Sequence, residues 1–240
     1  MAGLLGFVVA WDLAARHVDR PTMLPAPADV AGMVRELVSA GTLWPDVAAS
    51  LKRVLSGFAI AAIAAVPLAL VLATVSPLRR VVLPVLSVLR PIPPIAWIPL
   101  SILWFGIGDR SSYFITAVAA FFPIFINSLA GGLAPPANCV RAAQSLGASR
   151  GAVLLHVVVP SALPTVWTGL KIGLGQSWMA VVTSELIAAQ SGLGFMIQVN
   201  RLNLETAAVL VGMLTIGILG ALTAAVLTLS ERWMFPWRTP

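Results

Sequence analysis

Three charged residues stand within long apolar stretches of this sequence: Arg90, Lys171 and Glu185. A charge in such a place binds a solute or an ion, or pairs with another charge, because an unpaired charge is costly in apolar surroundings. Uncharged polar side chains accompany them in the same stretches. We therefore predict a solute pathway lined by some of the following residues: Arg90, Asn127, Lys171, Gln176, Ser177, Trp178 and Glu185.

Covalent and metal chemistry have little support in the sequence. Cys139 is its one cysteine, and the two histidines, His17 and His156, are far apart and have no carboxylates at metal-ligand spacing. We find no GxxxxGK[ST] phosphate loop and no nucleophile with a neighbouring base. We therefore expect no catalytic residue, no metal and no cofactor on this chain.

The composition places the chain in a membrane. Its 240 residues are 59% hydrophobic and only 10% charged, with a mean hydropathy of +0.95, which leaves too few charges to cover a soluble surface. Since a membrane helix needs about 20 apolar residues, we expect an all-α, polytopic helical bundle of about six spans in one domain, 1–240. The spans are predicted at 2–16, 54–75, 81–107, 111–131, 164–187 and 206–230.

The flanks and interruptions of these spans lead to further predictions. Prolines at 91, 93 and 94 should break the third span beside Arg90; this arginine either pairs with lipid phosphate near the boundary or lines the pathway. Lys52 and Arg53 begin the second span, where long side chains snorkel to lipid headgroups. The first span is short, and no basic residue precedes it, so we interpret it as a tilted peripheral helix rather than a signal peptide.

The segment 132–163 separates two apolar stretches and carries polar residues. We predict a short helix over 139–146, a turn at Gly147, an N-cap at Ser149 and a second helix over 150–159 that ends at Pro160. The small side chains around Gly147 would let another protein approach the backbone closely. A tight intramolecular helix pair is the alternative interpretation.

This segment resembles the "EAA" coupling loop of ABC-importer permeases, through Ala142 and Ala143, then Gly147, Ala148 and Ser149. The similarity extends to RPIPPIAWIPLSILWFGIG at 90–108, FFPIFINSLAG at 121–131, GLKIGLGQSWMAVVTSELI at 169–187 and SGLGFMI at 191–197, and is typical of the nitrate/sulfonate/taurine branch. One residue departs from the pattern. Arg141 stands where the motif begins with Glu, so an ion pair made through that Glu does not carry over to this chain.

The resemblance implies a type I ABC-importer permease fold in the bacterial cytoplasmic (inner) membrane. It implies a non-catalytic subunit that pairs as a homodimer, two ATPase subunits that hold ATP and Mg, and a periplasmic binding protein. The solute would be a small anion or zwitterion: sulfonate or taurine, nitrate or bicarbonate. It also places the loop 132–163 in the cytoplasm, with these residues coupling to the ATPase: Arg141, Ala142, Ala143, Gly147, Ala148 and Ser149.

An ion-coupled secondary carrier is the alternative from a different class. Arg90, Lys171 and Glu185 would then bind the substrate and the coupling ion directly, although the two halves of the sequence show no visible inverted repeat. The basic residues of the loops, six on one side against seven on the other, do not decide the orientation. The resemblance alone therefore places 141–164 on the inner side.

Overall fold

The chain folds into a bundle of α-helices in the computed structural model, which describes residues 2–18, 20 and 22–234. No strand occurs among these residues, as the all-α prediction requires. The elements in order are α1 (Ala2–Val18), α2 (Pro27–Ser39), α3 (Leu43–Thr74), α4 (Ser76–Leu89), a 3₁₀ turn (Pro94–Trp97), α5 (Ile98–Phe105), α6 (Asp109–Leu133), α7 (Ala137–Ser145), α8 (Arg150–Val153), a π-helical turn (Leu154–Val158), α9 (Val159–Ala188), α10 (Leu193–Leu202) and α11 (Thr206–Met234).

Four stretches of the described chain are long and apolar enough to cross a membrane: Leu43–Thr74, Asp109–Leu133, Arg150–Ala188 and Thr206–Glu231. A fifth crossing results if α4 and the segment Pro94–Phe105 count as one broken span. The remaining predicted span, 2–16, corresponds to α1. This helix has 17 residues and is about 26 Å long, less than the ~30 Å hydrocarbon core, so a sixth span stays a prediction.

The third predicted span is broken next to Arg90. Helix α4 ends at Leu89, and the two halves of the pair meet at an angle of 91°. Prolines cause the break, because Pro91, Pro93 and Pro94 supply no backbone N–H and clash with the preceding turn. The predicted interruption is therefore confirmed.

The prediction that a helix ends at Pro160 is wrong. The chain passes through the π-helical turn Leu154–Val158 and continues as α9 to Ala188, so that Arg150–Ala188 forms one stretch of 39 residues, about 58 Å long. The π turn shifts the hydrogen-bond register just before Pro160. The proline then falls in the first turn of α9, where a missing N–H breaks no bond.

The centre of the bundle is the crossing of α6 and α9, with α3 alongside. Gly169 and Gly173 of α9 face Ile124 of α6 so closely that a Cβ on Gly169 would lie 2.8 Å from the Cβ of Asn127. Small residues on α3, including Ala61, Ala65 and Ala69, complete the packed interior. Close approach of this kind is how membrane helices associate in the absence of a hydrophobic driving force.

The α6–α9 crossing predicts opposite effects for two glycines of one helix. Gly169→Ala should lower stability by about 1–3 kcal/mol, because the added carbon overlaps α6. Gly175→Ala meets nothing within 4 Å and should be neutral or stabilising by up to about 1 kcal/mol. Thermal unfolding of the two purified variants measures the difference, and equal midpoints would contradict this account of the crossing.

Candidate functional site

The predicted coupling residues form an exposed helix–turn–helix at the end of the bundle where α3 and α6 terminate. Helix α7 begins at Ala137 rather than at 139 and ends at Ser145. Gly147 has φ +85°, the left-handed conformation that glycine adopts without strain. The Oγ of Ser149 accepts a hydrogen bond from the N–H of Ala152 at 3.2 Å. The predicted turn and N-cap are thus confirmed.

One side of this unit is anchored and the other is open. Ala143 and Ala148 pack against a buried cluster that includes Leu70 of α3 and Val153 and Val158 at the start of the long helix. Arg141, Ala142, Gly147 and Ser149 are exposed, as is Leu146 to 89%. Arg141 Nη2 donates to Asn138 Oδ1 at 3.0 Å, within α7 itself. The open side is therefore a small-residue surface that a partner protein can approach.

A cavity of about 510 Å³ lies behind α7. It is bounded by the α3–α4 junction at Thr74 and Ser76, by Gln144 of α7 and by Arg150 of α8. Ala143 and Ala148 are therefore close to this cavity.

The opposite end of the bundle holds a buried network of ion pairs centred on Arg53 of α3. Arg53 Nη1 donates to Glu185 Oε1 of α9 at 2.8 Å, and Arg53 Nε donates to Asp109 Oδ1 of α6 at 2.8 Å. Arg53 is 3% exposed and Glu185 is 1% exposed. The Oγ of Ser50 lies 2.8 Å from both oxygens of Glu185. One guanidinium therefore joins the ends of three spans.

The same network fixes the turn at 191–194 that leads into α10. Arg53 Nη1 donates to the carbonyl of Ser191 at 2.6 Å. The N–H groups of Gly192, Leu193 and Gly194 donate to Asp46 Oδ1 (2.7 Å), Ser50 Oγ (2.8 Å) and Glu185 Oε2 (2.9 Å) respectively. Gly192 has φ +105°, and a Cβ there would collide with the Glu185 carboxylate. These acceptors satisfy the first N–H groups of α10.

The prediction that Arg53 snorkels to headgroups is therefore wrong. Its side chain is buried because the carboxylates of Asp109 and Glu185 on other helices, and the hydroxyl and carbonyl oxygens of Ser191, replace water around the guanidinium. Asp109 is 56 residues from Arg53 in the chain and lies on another helix, so no local sequence pattern connects the two. A partial signal was available, since Glu185 follows an apolar stretch and requires a cation.

The two charged pathway candidates on α9 form ion pairs with residues on other helices. Lys171 Nζ donates to Glu231 Oε2 of α11 at 2.5 Å, and Glu185 is held by Arg53. Both side chains therefore have a charged partner on another helix of this chain. The ion-coupled carrier is not favoured, because it assigns the binding of substrate and ion to these side chains.

Three uncharged candidates make hydrogen bonds within the bundle, and one of these bonds, from Trp178, joins two helices. Ser177 is buried and donates to the carbonyl of Gly173 at 2.9 Å. Trp178 Nε1 donates to Thr223 Oγ1 of α11 at 3.0 Å. Asn127 Nδ2 donates to the carbonyl of Pro123 at 2.8 Å, beside the close approach to Gly169. The structure gives each of these side chains a packing or hydrogen-bonding role within the bundle.

Gln176 and Arg90 remain on open surfaces. Gln176 lines a cleft of about 250 Å³ between α9, α6 and the 3₁₀ turn, together with Pro94, Ile95, Ile115, Met179 and Thr183. Arg90 is exposed at the C-terminal end of α4. Polar residues on the exposed side of a span face protein or water rather than lipid. Of the predicted pathway residues, these two are the exposed ones.

Long apolar helices, an exposed helix–turn–helix at one end and a cleft beside a broken span define a polytopic membrane permease. The chain belongs to the family described as "Binding-protein-dependent transport system inner membrane component", whose sequence profile matches residues 57–238. It is thus a multi-pass inner-membrane component of a transport system that depends on a binding protein.

Curated relatives cover nearly the whole chain. It is 39% identical over 236 residues to the taurine transport system permease protein TauC of Escherichia coli, which covers 95% of this chain and 85% of TauC. The putative aliphatic sulfonates transport permease protein SsuC of E. coli is 34% identical over 97% of this chain and 89% of its own. The bicarbonate transport system permease protein CmpB of Synechococcus elongatus is 30% identical, covering 98% and 88%.

A solved structure shows the same fold. A chain of the MetNI methionine ABC transporter, in an inward facing conformation, superimposes with a TM-score of 0.57 at 22% identity. The match covers 77% of this chain and 93% of that one. The predicted ABC-importer permease fold is thus confirmed.

Proposed function

We propose that this chain forms half of the membrane pathway of an ATP-driven importer for a small anionic or zwitterionic solute, such as a sulfonate, taurine, nitrate or bicarbonate. Relatives whose names specify taurine, aliphatic sulfonates and bicarbonate support this solute class. Two copies of the chain pair as a homodimer. Two ATPase subunits hold ATP and Mg, and a periplasmic binding protein delivers the solute.

The exposed helix–turn–helix is the observation that carries this proposal. Its open side, with Ala142, Gly147 and Ser149, docks into a groove of the ATPase on the cytoplasmic side. Its anchored side continues without interruption into the helix Arg150–Ala188, which carries Gln176 at the cleft and Glu185 in the network. A movement of the ATPase therefore reaches the pathway and the outer end of the bundle through a single rigid helix.

The one cysteine of the chain provides a direct test of docking. Cys139 is exposed on α7, so a maleimide should label it rapidly in the isolated permease and much more slowly after the cognate ATPase is added. A Cys139→Ser variant with Ser39→Cys, which labels the exposed end of α2 at the other side of the bundle, should react equally with and without the ATPase. Unchanged labelling of Cys139 in a formed complex would exclude this surface as the ATPase contact.

The solute class is tested in the complete complex. The permease and its ATPase in lipid nanodiscs should hydrolyse ATP faster when the binding protein arrives loaded, with taurine, an alkanesulfonate, nitrate and bicarbonate compared in turn. Stimulation by one loaded form identifies the solute. Hydrolysis that is indifferent to every loaded form would exclude this set of solutes.

A further inference from the structure

Arg90 differs from the cations that the bundle holds in place. Arg53 and Lys171 each have a carboxylate partner on another helix at 2.5–2.8 Å. Within the part of the chain that the structure describes, the Arg90 guanidinium has neither an ion pair nor a side-chain hydrogen bond, and it is exposed. An unpaired arginine in a membrane chain requires a partner from outside the subunit.

Arg90 is exposed, but it lies well away from the inner end of the bundle. Leu86 and Leu89, which precede it on α4, line an apolar groove together with Ile60 and Ala64 of α3. Ile60 lies about 21 Å along α3 from the inner end at Thr74, at 1.5 Å per residue. Arg90 is thus far from the inner boundary where the sequence alone allowed it to pair with lipid phosphate.

The cleft that contains Gln176 begins four residues further along the chain. Pro94 and Ile95 form one wall of this cleft, at most about 14 Å of chain from Arg90. The cleft residues that the structure describes carry no charge, and their polar side chains are Gln176 and Thr183. With about 250 Å³, the cleft has room for a small solute but contains no group that neutralises one.

We propose that Arg90 is the counter-charge for an anionic oxygen group of the transported solute, and that the rest of the solute occupies the cleft at Gln176 and Thr183. The inference rests on the proposed function and adds residue roles to it. Arg90 binds the sulfonate, carboxylate or other oxyanion, because its planar guanidinium donates two parallel hydrogen bonds to such groups. Gln176 then discriminates among solutes that share the anionic group.

Binding to the permease in nanodiscs tests this without the ATPase. Titration with taurine and with isethionate, which differ in an ammonium and a hydroxyl group, should give a saturable change in tryptophan fluorescence, since Trp97 lies in the 3₁₀ turn. Arg90→Gln should raise both half-saturation concentrations about tenfold or more, and Arg90→Lys should raise them less. Gln176→Met should change the ratio between the two solutes. Arg80→Gln, a control on the same helix at its inner end, should change neither.

Two results would overturn the proposal: equal titrations of the wild type and Arg90→Gln, or no saturable change in the wild type with any of the candidate anions. If Arg90 instead binds a lipid phosphate, the variants should behave differently. Arg90→Gln would then lower thermal stability in phospholipid nanodiscs but not in a phosphate-free maltoside detergent, and solute titration would be unaffected. If titration depends on Arg90 but the complete complex shows no ATP-driven uptake, the proposed function fails while the binding site stands.

Discussion

Replacement of Arg53 by methionine is expected to destabilise the chain by about 3–5 kcal/mol, because it leaves the buried Glu185 carboxylate without its cation. The same change removes the bonds from Arg53 to Asp109 and to the Ser191 carbonyl. Thermal unfolding of the purified protein in detergent measures the loss. We expect the outer ends of α3, α6 and α9 to separate first.

The neighbouring residue supplies a matched control. Lys52 pairs with the same Asp109 carboxylate at 3.3 Å, but its side chain is 66% exposed, and exposed pairs contribute little. Lys52→Met should therefore leave the unfolding midpoint close to that of the wild type. Adding Glu185→Gln to Arg53→Met should recover part of the stability, since the uncompensated charge is then gone. An Arg53→Met protein as stable as Lys52→Met would contradict the role assigned to the network.

Gly147→Trp is expected to abolish ATP-driven uptake while the chain still folds and inserts. A Cβ at Gly147 meets nothing within 4 Å, so an indole there projects from the open side of the helix–turn–helix. It would hold α7 away from the ATPase groove and so disconnect ATP binding from the pathway. Uptake of solute into proteoliposomes that contain the complete complex measures this effect.

The effect of backbone strain at Gly147 has to be distinguished from the effect of side-chain bulk. Gly147→Asn accepts a positive φ more readily than most residues and adds little volume, so it should retain most of the uptake. Gly41 has φ +71° and equally open space, but lies between α2 and α3 at the other end of the bundle. Gly41→Trp should therefore transport normally. Full uptake by Gly147→Trp would exclude this turn as the coupling contact.

The continuous helix Arg150–Ala188 relates these two predictions. One end of it carries the anchored face of the helix–turn–helix, and the other end carries Glu185, which binds Arg53. Both variants therefore act on one helix, at opposite ends. Gly147→Trp should abolish transport but leave thermal stability unchanged. The main effect of Arg53→Met should be a loss of thermal stability.

The sequence by itself determined the class of fold and the local form of the inner loop. Uncharged stretches of about 20 residues or more can only be spans, and a proline cluster can only interrupt a helix. The turn at Gly147 and the cap at Ser149 depend on contacts between residues close in the chain. The sequence named candidate pathway residues, but it did not show which of them bond to other helices, because those contacts are between residues far apart in the chain.

The tertiary structure decided which polar residues bond to other helices and which are exposed. Lys171 and Glu185 satisfy their charges through Glu231 and Arg53, partners that are 60 and 132 residues away, and no local pattern specifies such pairs. Whether Pro160 ends a helix depended on the π turn that precedes it. Arg90 and Gln176 are exposed. Which side chains are buried and which are exposed depends on long-range packing, which sequence periodicity does not encode.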